Sequence, residues 1–574
     1  MKSINNIIPK HLKKYIVKQD YTNYNEINQS TWKFIMKISI DFFKKYGHSI
    51  YIDGLKKTGI SLDTIPKISD INNKLSQFGW SSVPVRGFIP PNIFMEFQSL
   101  KILPIATNMR THKHLTYTPA PDILHEAAGH APIIANKDYS RYLTEYGQVA
   151  SKAIMSSEDM DLYYAIRALS DIKEKANVSK KEITLLNKKL TKAYKNISYT
   201  SESSLLSRMN WWTVEYGLVG DIDDYKIYGA GLLSSVEESE NCLIDDVKKL
   251  PFSIDCINYK YDITEQQPQL FIARNFRQLS KVLKQLSNKM SFKIGGVYGL
   301  EQAIKAKTLC SIEIDHKIQI SGIVEKYITK NKKPIFIKTC GKTQLCYNNK
   351  ELKNQGVEHH QHGYSSPIGK LKEVNKPINK LSNNDLVKLN IKKNKFINLE
   401  YDSGIILSGK VKKITTKNST IIIIKFNNCT VKYKNEYLFM PEWGDFDLIC
   451  GELINSVYGG VADKINYDKK IKVKSKINNS NCTDVSTYNK KLNKLHSQIK
   501  ILEKKYSTIN SRKLFKKIIS TYPEEWLVLY ELLELTTSNI DMKLSGEIKN
   551  ILNKFINDKH SDSKVIKRGL YLIK

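Results

Sequence analysis

A chain of 574 residues exceeds what one hydrophobic core organises, and domains of about 100–200 residues make three a fair expectation. With 41% hydrophobic and 26% charged residues, the composition excludes a wholly disordered or collagen-like chain. No apolar run nears the roughly 18 residues that cross a bilayer, the longest aliphatic block being Ile421 to Ile424.

The formal charge is +33, from 90 Lys and Arg against 57 Asp and Glu. The excess is mostly Lys, spread with Asn and Ile along the whole length, whereas base readers favour Arg, so dedicated nucleic-acid binding is not expected. Eight cysteines include no CxxC pair, which leaves neither a disulfide framework nor a zinc ribbon. Residues 1–25 build no apolar signal core, and a reduced, cytoplasmic protein is the default expectation.

Residues 20–100 alternate helical periodicity with turns, then become irregular through Gly79, Pro84, Gly87, Pro90 and Pro91. From 152 to 207 the chain reads as a charged helical insertion. Ser179-Lys-Lys-Glu182 is a capping box there, and Ile183, Leu186, Leu190 and Ala193 draw one apolar stripe.

From 311 to 450 the period shifts toward two, and Ile318–Val324 and Ile421–Phe426 read as strands. Residues 318–338 match 405–425 at an offset of 87, sharing Ser321/Ser408, Gly322/Gly409, Val324/Val411, Lys326/Lys413 and Asn331/Asn418. Each copy reads as a hairpin turning at Lys-Asn, which suggests a duplicated small β module. After the polar cluster Asn478 to Asn481, a helical tail places Leu492, Leu495, Ile499, Leu502, Tyr506 and Ile509 at alternating heptad positions. Fewer than three heptads favour packing within the chain, with a homo-oligomer through these helices the alternative.

The densest chemistry lies in Pro121-Asp-Ile-Leu-His-Glu-Ala-Ala-Gly-His-Ala-Pro132. A zinc protease uses HExxH, with histidines four apart on one helical face. Here they are five apart and diverge by about 140° on an α-helix, so one metal reaches both only if the helix ends between them, as Gly129 and Pro132 suggest. Glu215, inside the aromatic run Trp211-Trp-Thr-Val-Glu-Tyr-Gly217, needs a partner if buried. His125, His130 and Glu215 together would give the two-His-one-carboxylate triad of non-heme iron(II) oxygenases. Ordinary buried polar residues with a salt-bridged Glu are the competing reading of these two segments.

The chain also resembles the pterin-dependent aromatic amino acid hydroxylases, closest to their bacterial phenylalanine 4-monooxygenase branch. The resemblance rests on Tyr117–His130, Trp211–Gly217, Tyr228-Gly-Ala-Gly-Leu-Leu-Ser-Ser235 and Ile263-Thr-Glu265. Upstream, Gly79-Trp80, Val83-Pro-Val85 and Gly87-Phe-Ile-Pro90 carry it further. It implies His125, His130 and Glu215 as iron ligands and catalytic centre. It implies Arg110 on the substrate carboxylate, Thr118 and Ser234 as polar groups near that substrate, and Trp211 and Ile263 in the amino-acid pocket. Phe94, Gly87, Ile89 and Glu126 would serve the tetrahydropterin. The implied reaction converts L-phenylalanine to L-tyrosine with dioxygen, iron(II) and tetrahydrobiopterin or a related tetrahydropterin. Trp211 and Ile263, where the tryptophan and tyrosine branches differ, favour phenylalanine, and apolar pocket differences worth about 1–3 kcal/mol leave a secondary activity open.

The expected fold is therefore multidomain: a mainly α catalytic domain over 1–295 with the 152–207 insertion, a β-rich duplicated module over 296–477, and a helical region over 484–574. No regulatory domain is expected ahead of the catalytic part, and Ala127-Ala128 replaces bulkier residues between the ligands. Tyrosine or tryptophan hydroxylase is the alternative within the family, a zinc hydrolase or a basic nucleic-acid-binding scaffold outside it. Glu358-His-His-Gln-His362 has imidazoles that could bind a metal, but with no partner at a recognisable spacing it reads as a surface loop.

Overall fold

The computed structural model describes residues 8–87, 89–116, 121–173, 179–263, 265–471 and 487–573. Thr118 and the 478–481 cluster fall outside these residues.

The N-terminal half is built around the long helix α1 (Glu26–Tyr46), which starts at an Asn25 capping box and buries Trp32, Phe34, Ile35 and Ile38. Two parallel strands, β1 (Ser81–Val85) and β2 (Ile102–Ala106), flank helix α2 (Pro91–Ser99), whose first residue is the proline a helix start tolerates. The helices α3 (Ser157–Lys173) and α4 (Lys180–Lys195) pair in the expected insertion. Ser179 caps α4 as the sequence indicates, while of its apolar stripe only Ala193 is fully buried. Beyond Trp211, β3 (Leu218–Asp221), β4 (Asp224–Ile227), β5 (Lys248–Pro251) and β6 (Gln269–Ala273) form one sheet in the order β4-β3-β6-β5. The short helix α5 (Ala230–Ser234) lies between β4 and β5 in sequence.

The β-rich region opens with β7 (Leu309–Ile314), then two long hairpins, β8 (Ile318–Lys330) with β9 (Lys333–Tyr347) and β10 (Ile405–Lys417) with β11 (Thr420–Tyr433). The register of the first breaks between Ser321/Ile323, Val324/Lys326 and Ile328/Thr329. That of the second breaks between Ser408/Lys410, Val411/Lys413 and Thr415/Thr416, each 87 residues on. Gly322 and Gly409 sit at the first break of each. The turns are Asn331-Lys332 and Asn418-Ser419, all four residues at positive φ, one residue beyond the expected Lys-Asn positions. Asn tolerates the left-handed region through its short polar side chain, so it takes the first turn position.

Of the C-terminal helices α6 (Thr487–Lys504), α7 (Thr508–Thr521), α8 (Trp526–Ser538), α9 (Met542–Asn557) and α10 (Ser563–Leu572), α6, α8 and α10 pack on α1, while α7 and α9 pack on α8 and its neighbours. Leu492, Leu495, Ile499 and Leu502 are buried, and their core is continuous with that of the N-terminal half. Ile509, the last expected heptad position, is 71% exposed. Phe34 meets the edges of Trp526 and Tyr530, with ring centroids 5.1 and 4.8 Å away. The C-terminal helices are thus part of the N-terminal core rather than a body beside it.

Candidate metal centre

The five-residue spacing of the histidines is accommodated by a π-helix over Leu124–His130. The helix does not end between them, as an α-helical reading required. Its wider i→i+5 turn carries residues five apart round to one face, as an α-helix does for residues four apart. A second π-helical turn, Trp211–Glu215, closes with Tyr216 N–H donating to the Trp211 carbonyl at 2.8 Å and delivers Glu215. Helix α5 clamps both turns. A Cβ at Gly129 would come within 2.8 Å of the Ala230 carbonyl oxygen, and one at Gly229 within 2.4 Å of the Glu215 carbonyl oxygen. Only glycine allows these approaches. Ala127 and Ala128 are buried in the main core.

The result is three converging donors. His125 Nε2 and His130 Nε2 are 3.2 Å apart, and Glu215 oxygens lie 3.4 and 3.6 Å from them. Ligands at about 2.1 Å from a shared ion, at angles of 90–120°, sit about 3.0–3.6 Å from one another, so the triangle fits one transition-metal ion. The chemistry of the donors fits too. Burial and the nearby Arg110 charge push His125 down to about 3, and burial lowers His130 well below its usual range, so both imidazoles are neutral and able to ligate. Burial raises Glu215 to about 8.

The surrounding shell orients these donors. Ser234 Oγ donates to the Ala230 carbonyl at 2.8 Å and so accepts from His125 Nδ1 at 2.9 Å, which leaves the Nε2 lone pair facing the other donors. Asp122 accepts the His125 backbone N–H through Oδ1 at 3.0 Å and binds Arg110 Nε and Nη2 at 2.8 and 3.0 Å. Arg110 Nη1 donates to the Ser234 carbonyl at 3.0 Å. The fork edge expected to face a substrate carboxylate is thus held by Asp122, and two of the five guanidinium donors remain. Ser234, expected near the substrate, is hydrogen-bonded to His125.

Glu126 is buried, its Oε2 3.8 Å from His130 Nε2 and without a hydrogen-bond partner. Burial and the charges of Glu215 and Asp122 raise its carboxyl well above the ordinary range. Trp211 stacks on Tyr261 and Tyr216, with centroids 4.4 and 4.6 Å away. Its Nε1 donates to Gln267, which in turn donates to the carbonyls of Asp262 and Glu265 and pins the loop carrying Ile263. Phe94 is half-buried on α2; in the preceding segment Gly87 takes φ +52° and Ile89 packs against the cluster of Val85 and Phe97.

Asp122 and Gln267 carry this shell and were not singled out in the sequence. Asp122 had a local signal, an aspartate three residues before a ligand, where a side chain caps a helix start. Gln267 had none.

Residues 8–161 and 180–303 match the model of the biopterin-dependent aromatic amino acid hydroxylase family, and the unmatched 162–179 lie within the helical insertion. A phenylalanine-4-hydroxylase of Dictyostelium discoideum is 29% identical over 277 residues, 47% of this chain and 52% of that one. The chain therefore spans about half the length of that relative. A phenylalanine-4-hydroxylase of Mesorhizobium japonicum is 26% identical over 269 residues, 46% of this chain and 81% of its own. The phenylalanine hydroxylase of Chromobacterium violaceum, solved with bound iron(III) and oxidised 7,8-dihydrobiopterin, aligns at 22% identity and TM-score 0.38, covering 49% of this chain and 92% of that one.

Proposed function

Through residues 8–161 and 180–303 the chain belongs to the biopterin-dependent aromatic amino acid hydroxylases, and on that premise we propose that it is a phenylalanine 4-monooxygenase. The observation that carries this reading is the convergence of His125, His130 and Glu215 within 3.2–3.6 Å. When bound there, ferrous iron and a tetrahydropterin would supply dioxygen activation, one oxygen atom passing to the ring and the other leaving on the pterin.

The chain's own residues do the rest. Ser234 keeps the His125 proton on Nδ1, so Nε2 is available to the metal. Asp122 fixes both Arg110 and the His125 backbone. The two remaining Arg110 donors would take the substrate carboxylate, and Thr118, which the family resemblance assigns to the same substrate, would add a polar group. Trp211, held by Tyr216, Tyr261 and Gln267, and Ile263 would wall the ring pocket. An apolar wall of this kind holds the ring and excludes water from the metal. Glu126, whose inward oxygen lacks a partner, with Phe94, Gly87 and Ile89, would hold the pterin.

The region from 296 to 477 reads as a duplicated β module, an origin supported by the shared register breaks 87 residues apart. The helices after 484 would serve chiefly to complete the catalytic core. A cytoplasmic location goes with the small diffusible substrates.

The test is turnover by the purified chain with ferrous iron and tetrahydrobiopterin, offering phenylalanine, tyrosine and tryptophan separately. Tyrosine formation from phenylalanine with the highest kcat/KM is expected. Faster conversion of tyrosine or tryptophan would reassign the substrate. Hydrolase activity with zinc and no pterin would replace the reading altogether.

A further inference from the structure

The histidine-rich loop before the short strand Gly363–Pro367 meets an aspartate that the sequence places far away. Asp447 lies on the strand Phe446–Ile449, directly opposite Lys425 of β11. The two short strands come together where the hairpins abut, and Tyr364 Oη donates to the Asp447 carbonyl at 2.7 Å. His359, His360 and Asp447 each offer one ligand atom, and those atoms lie within 4.8 Å of one another.

The polar shell is built as a metal site requires. Gln355, itself buried, lies 2.7 Å from His360 Nε2 through Oε1 and donates to Asp447 Oδ1 through Nε2 at 3.0 Å. One amide therefore fixes two residues. It holds the His360 proton on Nε2, leaving the Nδ1 lone pair, and it occupies Oδ1, leaving Oδ2. The His360 backbone is pinned as well, its carbonyl accepting from Thr343 N–H at 2.9 Å. His359 Nε2 is 2.8 Å from Asp447 Oδ2.

A cation already stands at this point. Lys425 Nζ is 3.2 Å from His359 Nε2 and 3.5 Å from Asp447 Oδ2. It is also 3.8 Å from Asp445, to which it can turn. We propose that His359, His360 and Asp447 form a second metal site, which takes a divalent transition-metal ion of the zinc or ferrous class, and that Lys425 is the cation this metal displaces. Two imidazoles and a carboxylate suit that class better than calcium or magnesium, which prefer all-oxygen sites. Bound there, the ion would join the two hairpin units, since the histidines come from the loop after the first and the aspartate from the strand after the second.

Zinc counted on the full-length chain after desalting tests this. Two zinc ions per chain are expected for the parent, one after His130→Ala, one after His360→Asn and none after both. Lys425→Met in the His130→Ala background should tighten the remaining site about tenfold, because it removes a positive charge a few ångströms from the ion. This arm decides the matter should His360→Asn fail to fold. A parent that holds one zinc, lost entirely in His130→Ala, overturns the proposal. So does remaining zinc whose affinity Lys425→Met leaves unchanged.

Discussion

Replacing Ser234 by alanine removes one atom from the outer shell of the metal centre and leaves the backbone of α5 in place. In the parent, Ser234 Oγ accepts the His125 Nδ1 proton at 2.9 Å and donates to the Ala230 carbonyl at 2.8 Å. Without it, a buried N–H loses its acceptor, and such an orphan costs about 1–3 kcal/mol. The ring is also free to turn or to move its proton to Nε2, either of which withdraws a metal ligand. Converted at 1.4 kcal/mol per decade, the loss is about 5- to 150-fold in metal affinity, which brackets the 10- to 100-fold typical of outer-shell partners. Anaerobic competition of Ser234→Ala against a chromogenic ferrous chelator reads this directly. The KM for phenylalanine, measured at saturating iron, should change no more than about twofold. Unchanged iron affinity with a raised KM would refute the reasoning and return Ser234 to the substrate side, where the family resemblance put it.

Other substitutions probe other levels of the account. Asp122→Asn leaves the buried Arg110 guanidinium without its counter-charge and should cost about 3–5 kcal/mol of stability together with most activity, read by urea unfolding and turnover. Leu529→Ala, a fully buried residue of α8 in the shared core, should cost about 2–5 kcal/mol. It should lower secondary structure and hydroxylation in one transition, and separate transitions would contradict a common core. Burial lifts the Glu238 carboxyl to about 7, so the folded state holds its proton over a range where the unfolded chain has released it. That contribution is intact below about pH 4.5 and is lost as pH rises toward 7, by about 3 kcal/mol in all. Glu238→Gln should therefore match the parent at pH 4.5 and exceed it at pH 8 in urea midpoint.

The candidate ligand set was legible because three uncommon side chains stand in two short motifs. Their convergence was not. A 3.6-residue period puts His125 and His130 on different faces, and only the π-helical turn, stabilised by close contact with α5, reverses that. Hairpin periodicity and the 87-residue repeat were visible, since alternation and Asn turn residues are local, although the turn falls one residue later than its Lys-Asn signature suggested. Asp447 was invisible as a partner of His359 and His360 because its approach depends on how two hairpins pack. Likewise the apolar stripe of α6 announced burial without naming its surface, which is shared by α8 and by α1, more than 400 residues earlier in the chain.

The central claim is that one ion is shared by two imidazoles and one carboxylate. Anomalous diffraction from crystals of the chain loaded with ferrous iron measures it. An iron peak about 2 Å from His125 Nε2, His130 Nε2 and a Glu215 oxygen is predicted, absent in His130→Ala. No iron at that position, or iron there at full occupancy in the His130→Ala crystals, would contradict it.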